Sequence, residues 1–141
     1  MSTPAEVEQF KRIFNELDAD HLHLVGELYA DKVEFRDPIH AVDGVGNLRT
    51  YFANLYDGVK SCQFTFESEL AGEGEAMLSW TMHMEHGRFR KGETVHVPGM
   101  SHIRYADGKV TYHRDYFDMG RLIYERVPLL GAVVRKIKSR L

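Results

Sequence analysis

Past Gly58 the apolar residues of this chain change their spacing from three or four to two, and that switch limits the fold more than any other feature. In CQFTFESEL, residues Cys62, Phe64 and Phe66 alternate with Gln63, Thr65 and Glu67. AMLSWTMHMEH reads as a second long strand, with a charged, glycine-containing loop after it. TVHVPGMSHIRYA and KVTYHRDYFD then flank Asp107-Gly108, a strong hairpin signal. Upstream the period is helical. Val7, Phe10, Phe14 and Leu17 predict a first helix to about Leu17, and Thr3-Pro4-Ala5-Glu6 has the form of a capping box at its start. Asp20 predicts the start of a shorter helix whose buried stripe is Leu22, Val25, Leu28 and Tyr29. Val45, Leu48, Phe52 and Leu55 mark a third helix that stops near Gly58. Helices followed by hairpin-linked strands make the chain α+β, with helices on one face of an antiparallel sheet.

At 141 residues the chain has the length of one domain, with room for a real core. We expect a single domain over residues 1–141, with 119–141 as a C-terminal helical extension. The net charge of −3 points away from a dedicated nucleic-acid binder. Cys62 is the one cysteine, which rules out an intrachain disulfide and fits a reducing compartment. STPAEVEQFKRIF lacks the apolar stretch of a signal peptide, and no apolar run approaches the ~20 residues of a membrane span. A cytoplasmic location is the expectation.

The tail breaks at Pro128. Beyond it Leu129, Leu130, Val133, Val134, Ile137 and Leu141 form an apolar stripe, with Arg135, Lys136, Lys138 and Arg140 on the polar side. Two readings stay open: an interfacial helix in weak contact with a membrane surface, or an ordinary amphipathic helix packed on its own domain or on a second subunit.

The segment LYADKVEFRDPIHAVDGVGNLRTYF resembles the nuclear transport factor 2-like superfamily, and within it the SnoaL-like and ketosteroid-isomerase-like proteins. The residues that carry the likeness are Leu28-Tyr29-Ala30-Asp31, Asp37-Pro38, Gly44, and Leu48 to Phe52, with the hairpin SHIRYADGKVTYHRDYFD equally typical. The resemblance implies a strongly curved antiparallel sheet wrapped as a cone round three N-terminal helices. It also implies a deep apolar pocket holding a small ligand, no cofactor, and a homodimer. Asp37 matches the proton-shuttling aspartate of ketosteroid isomerases. Ile13 stands at the position of their first-helix tyrosine and Ser101 near that of their second aspartate, so neither oxyanion donor carries over. Asp115 occupies a place comparable to the acid/base aspartate of SnoaL-like cyclases.

In FRDPIH, a regular strand would put Phe35, Asp37 and Ile39 on one side. Taken alone, Asp-Pro equally suits an Asx-type turn; the resemblance favours a pocket-facing Asp37. On the last strand, parity groups His113, Asp115 and Phe117, and the resemblance turns that side inward. A histidine and a carboxylate in an apolar cavity suit acid/base chemistry, because burial and charge push their pKa values in opposite directions. For the partner strand, a two-residue turn pairs His102 with His113, whereas a three-residue loop with Gly108 in the left-handed conformation pairs Ser101 with His113. The second gives Val95, Val97, Gly99, Ser101 and Ile103 as the inner face, the more apolar set, and is the reading adopted. Tyr29, Phe35, His40, Trp80, Met82, Ser101, Ile103 and Phe117 are expected to line the pocket. His113-x-Asp115 with Asp37 and His40 lacks a recognisable metal-ligand spacing, so no metal is expected.

Together these expectations describe an acid/base enzyme, an isomerase, cyclase or dehydratase, in which Asp37 removes a proton alpha to the carbonyl of an apolar compound and His113 and Asp115 assist. The alternatives are an epoxide-hydrolase-like use of the same carboxylates, and a non-catalytic ligand-binding or assembly module.

Overall fold

Val7, Phe10, Ile13 and Phe14 are all buried, and the helix that presents them, α1, runs Ala5–Phe14. It precedes α2 (Leu24–Leu28), β1 (Tyr29–Arg36), β2 (Ala41–Asp43), α3 (Val45–Tyr56), β3 (Val59–Gly72), β4 (Glu75–His86), β5 (Val95–Ala106), β6 (Lys109–Phe117), α4 (Met119–Leu122) and α5 (Pro128–Ser139). These elements come from a computed structural model that describes residues 3–87, 93–122 and 128–141. Most of the charged loop expected after β4 lies outside the described residues.

The first two helices are shorter than their apolar patterns, whereas α3 spans its pattern in full. Leu17 is buried, yet α1 ends at Phe14. No side chain caps α1, so the expected box does not form. The second helix starts at Leu24 rather than Asp20, because Asp18 Oδ1 accepts the Asp20 N–H at 2.9 Å and turns the chain there. Tyr29 opens β1 instead of closing that helix.

The expectation of a cone-shaped antiparallel sheet is corrected. The six strands run in the order β2-β1-β6-β5-β4-β3, and β1 pairs with β6 in parallel, so the sheet is mixed. It is also open: three-residue β2 forms one edge and β3 the other, and the two edges do not pair with each other. The physical reason lies in the connection. Strands β3 to β6 follow one another in the chain and pair antiparallel, but β1 is separated from them by α3 and joins beside the last strand in its direction.

The N-terminal helices cover one face of this sheet. Phe10 meets Phe66 with ring centroids 6.3 Å apart, Phe14 meets Phe64 at 5.7 Å, and Phe52 of α3 meets Phe35 at 5.7 Å. Between β5 and β6 the turn is the two-residue Asp107-Gly108, both left-handed at φ 54° and 79°, and not the expected three-residue loop. Yet Ser101 and Ile103 still face inward. A register shift between Arg104 and Tyr105 leaves Thr111 as an extra residue, so Ile103 opposes His113 and Ser101 opposes Asp115.

Among the described residues, α5 packs against α4.

Candidate functional site

A row of polar side chains crosses the buried face between β1 and β4. Trp80 Nε1 donates to Ser101 Oγ at 2.9 Å, and Ser101 Oγ donates to Asp115 Oδ1 at 2.6 Å. From the other side His113 Nε2 lies 2.6 Å from the same Oδ1, and the Tyr29 hydroxyl 2.6 Å from His113 Nδ1. Because indole is a donor only, it leaves Ser101 to donate to the carboxylate. With the imidazole Nε2–H also directed at Asp115, Nδ1 is the acceptor for Tyr29. Both bonds land on Oδ1; Asp115 Oδ2 takes no hydrogen bond among the described residues. Burial and the charge of Asp115 hold the Tyr29 hydroxyl well above the ordinary phenol range, so it remains a donor.

Beside this row opens a cavity of about 90 Å³, lined mainly by apolar groups that include Phe14, Phe35, Phe52, Trp80, Met82 and Phe117. Its polar edge holds Asp115, Asp37 and Tyr51. Asp37 does not lie on a strand, as the alternation of FRDPIH had suggested: β1 ends at Arg36. Its Oδ1 instead accepts the backbone N–H of Ile39 at 2.9 Å and of His40 at 2.7 Å, an Asx-type turn that leaves Ile39 exposed. The Asp37 side chain is nevertheless only 4% exposed, because Oδ2 reaches inward and accepts the Tyr51 hydroxyl. The turn and the cavity reading thus hold together in one residue. Burial first, then the bond to Asp37 and the charges of Asp37 and Asp115, drive the Tyr51 hydroxyl far above its usual range.

Several expected wall residues lie elsewhere. Ile103 is wholly buried in the core, and Tyr29 is buried behind His113. His113, 1% exposed, lies outside the wall of the main cavity and contacts Phe10, Phe14 and Phe35 edge-on. His40 lies outside, 47% exposed, with Nδ1 3.2 Å from Asp37 Oδ1. Phe35, Trp80, Met82 and Phe117 line the main cavity, and Ser101 borders a second space of about 10 Å³ with His113 and Asp115. His83, His96 and His102 sit on the opposite face, where His83 meets His96 and His102 meets Glu75.

Tyr51 is the residue that the sequence reading missed. It stands three residues past Leu48 and beside Phe52, so the helical stripe alone could have placed it inward. Among the described residues no group of three or more His, Cys, Asp or Glu side chains is arranged to hold a metal ion.

Two side chains of the wall give direct readouts. A Cβ built on Gly99 would fall onto Trp80 Cη2, 2.6 Å from Cζ3 and 2.8 Å from the Tyr116 carbonyl. Gly99→Ala should therefore displace the one tryptophan, shift its emission, and destabilise the fold by about 1–3 kcal/mol. An unshifted emission spectrum and melting curve would contradict that packing. Burial pushes the Cys62 thiol up to about 12, against a smaller opposite pull from its contact with Tyr56. Since the thiolate is the reacting form, the native thiol should react with an aromatic disulfide reagent near pH 8 roughly a hundred- to a thousandfold more slowly than in urea. The thiol is favoured in the fold, so this contribution is present at neutral pH and lost as the pH rises towards 12.

The model of the family described as the SnoaL-like domain matches residues 7–113. No curated protein matches the chain. Among solved structures, a candidate SnoaL-like polyketide cyclase from Jannaschia sp. CCS1 superposes with a TM-score of 0.76 at 18% identity, over 91% of this chain and 98% of that one. A protein of ketosteroid isomerase-like fold from Catenulispora acidiphila, solved with trimethylamine, gives 0.74 at 12% identity over 89% and 93%. A LEH-like epoxide hydrolase from M. tuberculosis gives 0.69 at 17% identity, over 93% of both chains.

Proposed function

The chain belongs to the SnoaL-like family, and from that membership and its cavity we propose that it moves a proton on a small, apolar carbonyl compound. One observation carries the reading: Asp115, on a mostly apolar cavity, has Oδ1 anchored by two donors and Oδ2 unbonded among the described residues. A carboxylate fixed through one oxygen presents the other as a base. In this scheme Asp115 Oδ2 takes the proton from the carbon alpha to the carbonyl. Tyr51, kept protonated, exchanges Asp37 Oδ2 for the ligand oxygen and donates to it as charge develops there. The proton then returns at a neighbouring carbon in an isomerisation, or to a leaving hydroxyl in a dehydration. His113 is a positioning residue, since both ring nitrogens are engaged and it does not line the cavity. The base is thus Asp115 rather than Asp37, whose oxygens are occupied by the turn and by Tyr51. A cavity of about 90 Å³ suits a compact compound, or the reacting end of a longer one.

The test is solvent deuterium exchange at the alpha carbon, followed by proton NMR over a panel of small cyclic and aliphatic ketones. Wild type should accelerate exchange for at least one member, and Tyr51→Phe should lower that rate about 10²-fold. Saturable binding without exchange across the panel would make the protein a binding module instead.

A second reading has its own support. The space of about 10 Å³ beside Ser101, His113 and Asp115 approaches the size of one water. A water activated there by Asp115 would open an epoxide rather than enolise a ketone. Incorporation of labelled oxygen from water into a diol would establish this chemistry in place of proton transfer.

A further inference from the structure

We infer that α5 docks the protein on an anionic lipid surface. This helix packs against the short α4, and Lys138 Nζ meets Asp118 Oδ2 at 2.9 Å. Val133 and Ile137 are 48% and 57% exposed. At 3.6 residues per turn, Leu129, Leu130, Val133, Val134 and Ile137 fall within one arc of about 140°. Lys136 falls just outside one border of that arc and Lys138, paired with Asp118, lies beyond the other, with Arg135 opposite and Arg140 just past the end of the helix. A basic stem beside an apolar sector, as at Lys136, can lie along acyl chains with its charge at the headgroups.

Charge selects the occupant. From Pro128 to Leu141 there is no acid, yet the whole chain carries −3, so the remainder is more acidic still. A negatively charged bilayer attracts the helix while repelling the body, which favours contact through α5 alone. Among the described residues no helix is long and apolar enough to cross a membrane, so the contact is at the surface. This inference does not rest on the proposed chemistry, but it gives that chemistry a setting in which apolar compounds are concentrated.

The experiment is flotation of the full chain with vesicles of phosphatidylcholine, with and without about one-third phosphatidylglycerol, at about 0.15 M salt. Wild type should float with the anionic vesicles and not with the neutral ones, and binding should fall steeply as salt rises. Lys136→Glu with Arg140→Glu should weaken binding by more than about tenfold, and Val133→Asp with Ile137→Asp should abolish it. Circular dichroism shows whether each variant folds. Should the apolar variant not fold, the charge variant and the salt series still decide the matter. Absence of flotation by wild type, equal flotation with neutral vesicles, or a concentration-dependent dimer that the apolar variant dissociates would each overturn the assignment, the last by giving the stripe to a second copy of this chain.

Discussion

Asp115→Asn is expected to lower turnover of a responsive ketone by about 10²–10⁴-fold, the range over which a positioned acid/base group acts. The asparagine has nearly the same shape, and its Oδ1 can still accept from Ser101 and His113 across the present 2.6 Å separations. What changes is the other atom: an amide nitrogen replaces Oδ2, the atom assigned as proton acceptor. The fold should therefore persist while the chemistry is lost. Steady-state rates measured beside thermal melts separate these effects. Turnover equal to wild type in a folded Asp115→Asn protein would remove the assigned base. A loss of activity that tracked a collapse in melting temperature would identify a structural role. Asp37→Asn makes the useful comparison. Its oxygen can keep the Asx-type turn through Ile39 and His40, but the group that holds Tyr51 is altered. A smaller drop is expected there, because Asp37 acts through Tyr51.

His113→Ala should cost about 3–5 kcal/mol of stability. Two losses combine. The ring packs within 5.0 Å of Phe35, 5.1 Å of Phe10 and 5.6 Å of Phe14 between centroids, so its removal opens a void among aromatic groups that have little freedom to close it. It also strips a partner from the fully buried Tyr29 hydroxyl and from Asp115. Denaturant unfolding measures the total. A double-mutant cycle with Tyr29→Phe isolates the polar part: Tyr29→Phe should be costly in the wild-type background and nearly neutral once His113 is gone. A cost for His113→Ala below about 1 kcal/mol would contradict the buried network.

The class of the fold was legible because periodicity is a local property. Val7, Phe10 and Phe14 had to share a helix face, and Phe64 and Phe66 a strand face, whatever surrounded them. The openness of the sheet was not legible in the same way. Pairing between β1 and β6 joins segments about 80 residues apart in parallel, and no turn residue encodes a contact across that separation. The inward face of β5 shows a subtler division. Its apolar set, Val95, Val97 and Ile103, pointed to the correct side, while the loop invoked to achieve it was wrong; a bulge at Thr111 restored the parity that the two-residue turn would have reversed.

The candidate site divides along the same line. Asp37 stood out in the chain between Phe35 and Ile39, whereas the inward side for His113 and Asp115 came from the family resemblance. Their orientation was decided across the fold. Asp37 reaches the cavity because the Tyr51 hydroxyl, on α3, donates to it, and Asp115 presents Oδ2 because Ser101 and His113, on two adjacent strands, anchor Oδ1. Residue types and their local period are properties of the chain alone. Which lone pair remains unbonded is a property of four strands and a helix meeting in space, since hydrogen bonds form between whatever groups the packing brings within about 3 Å.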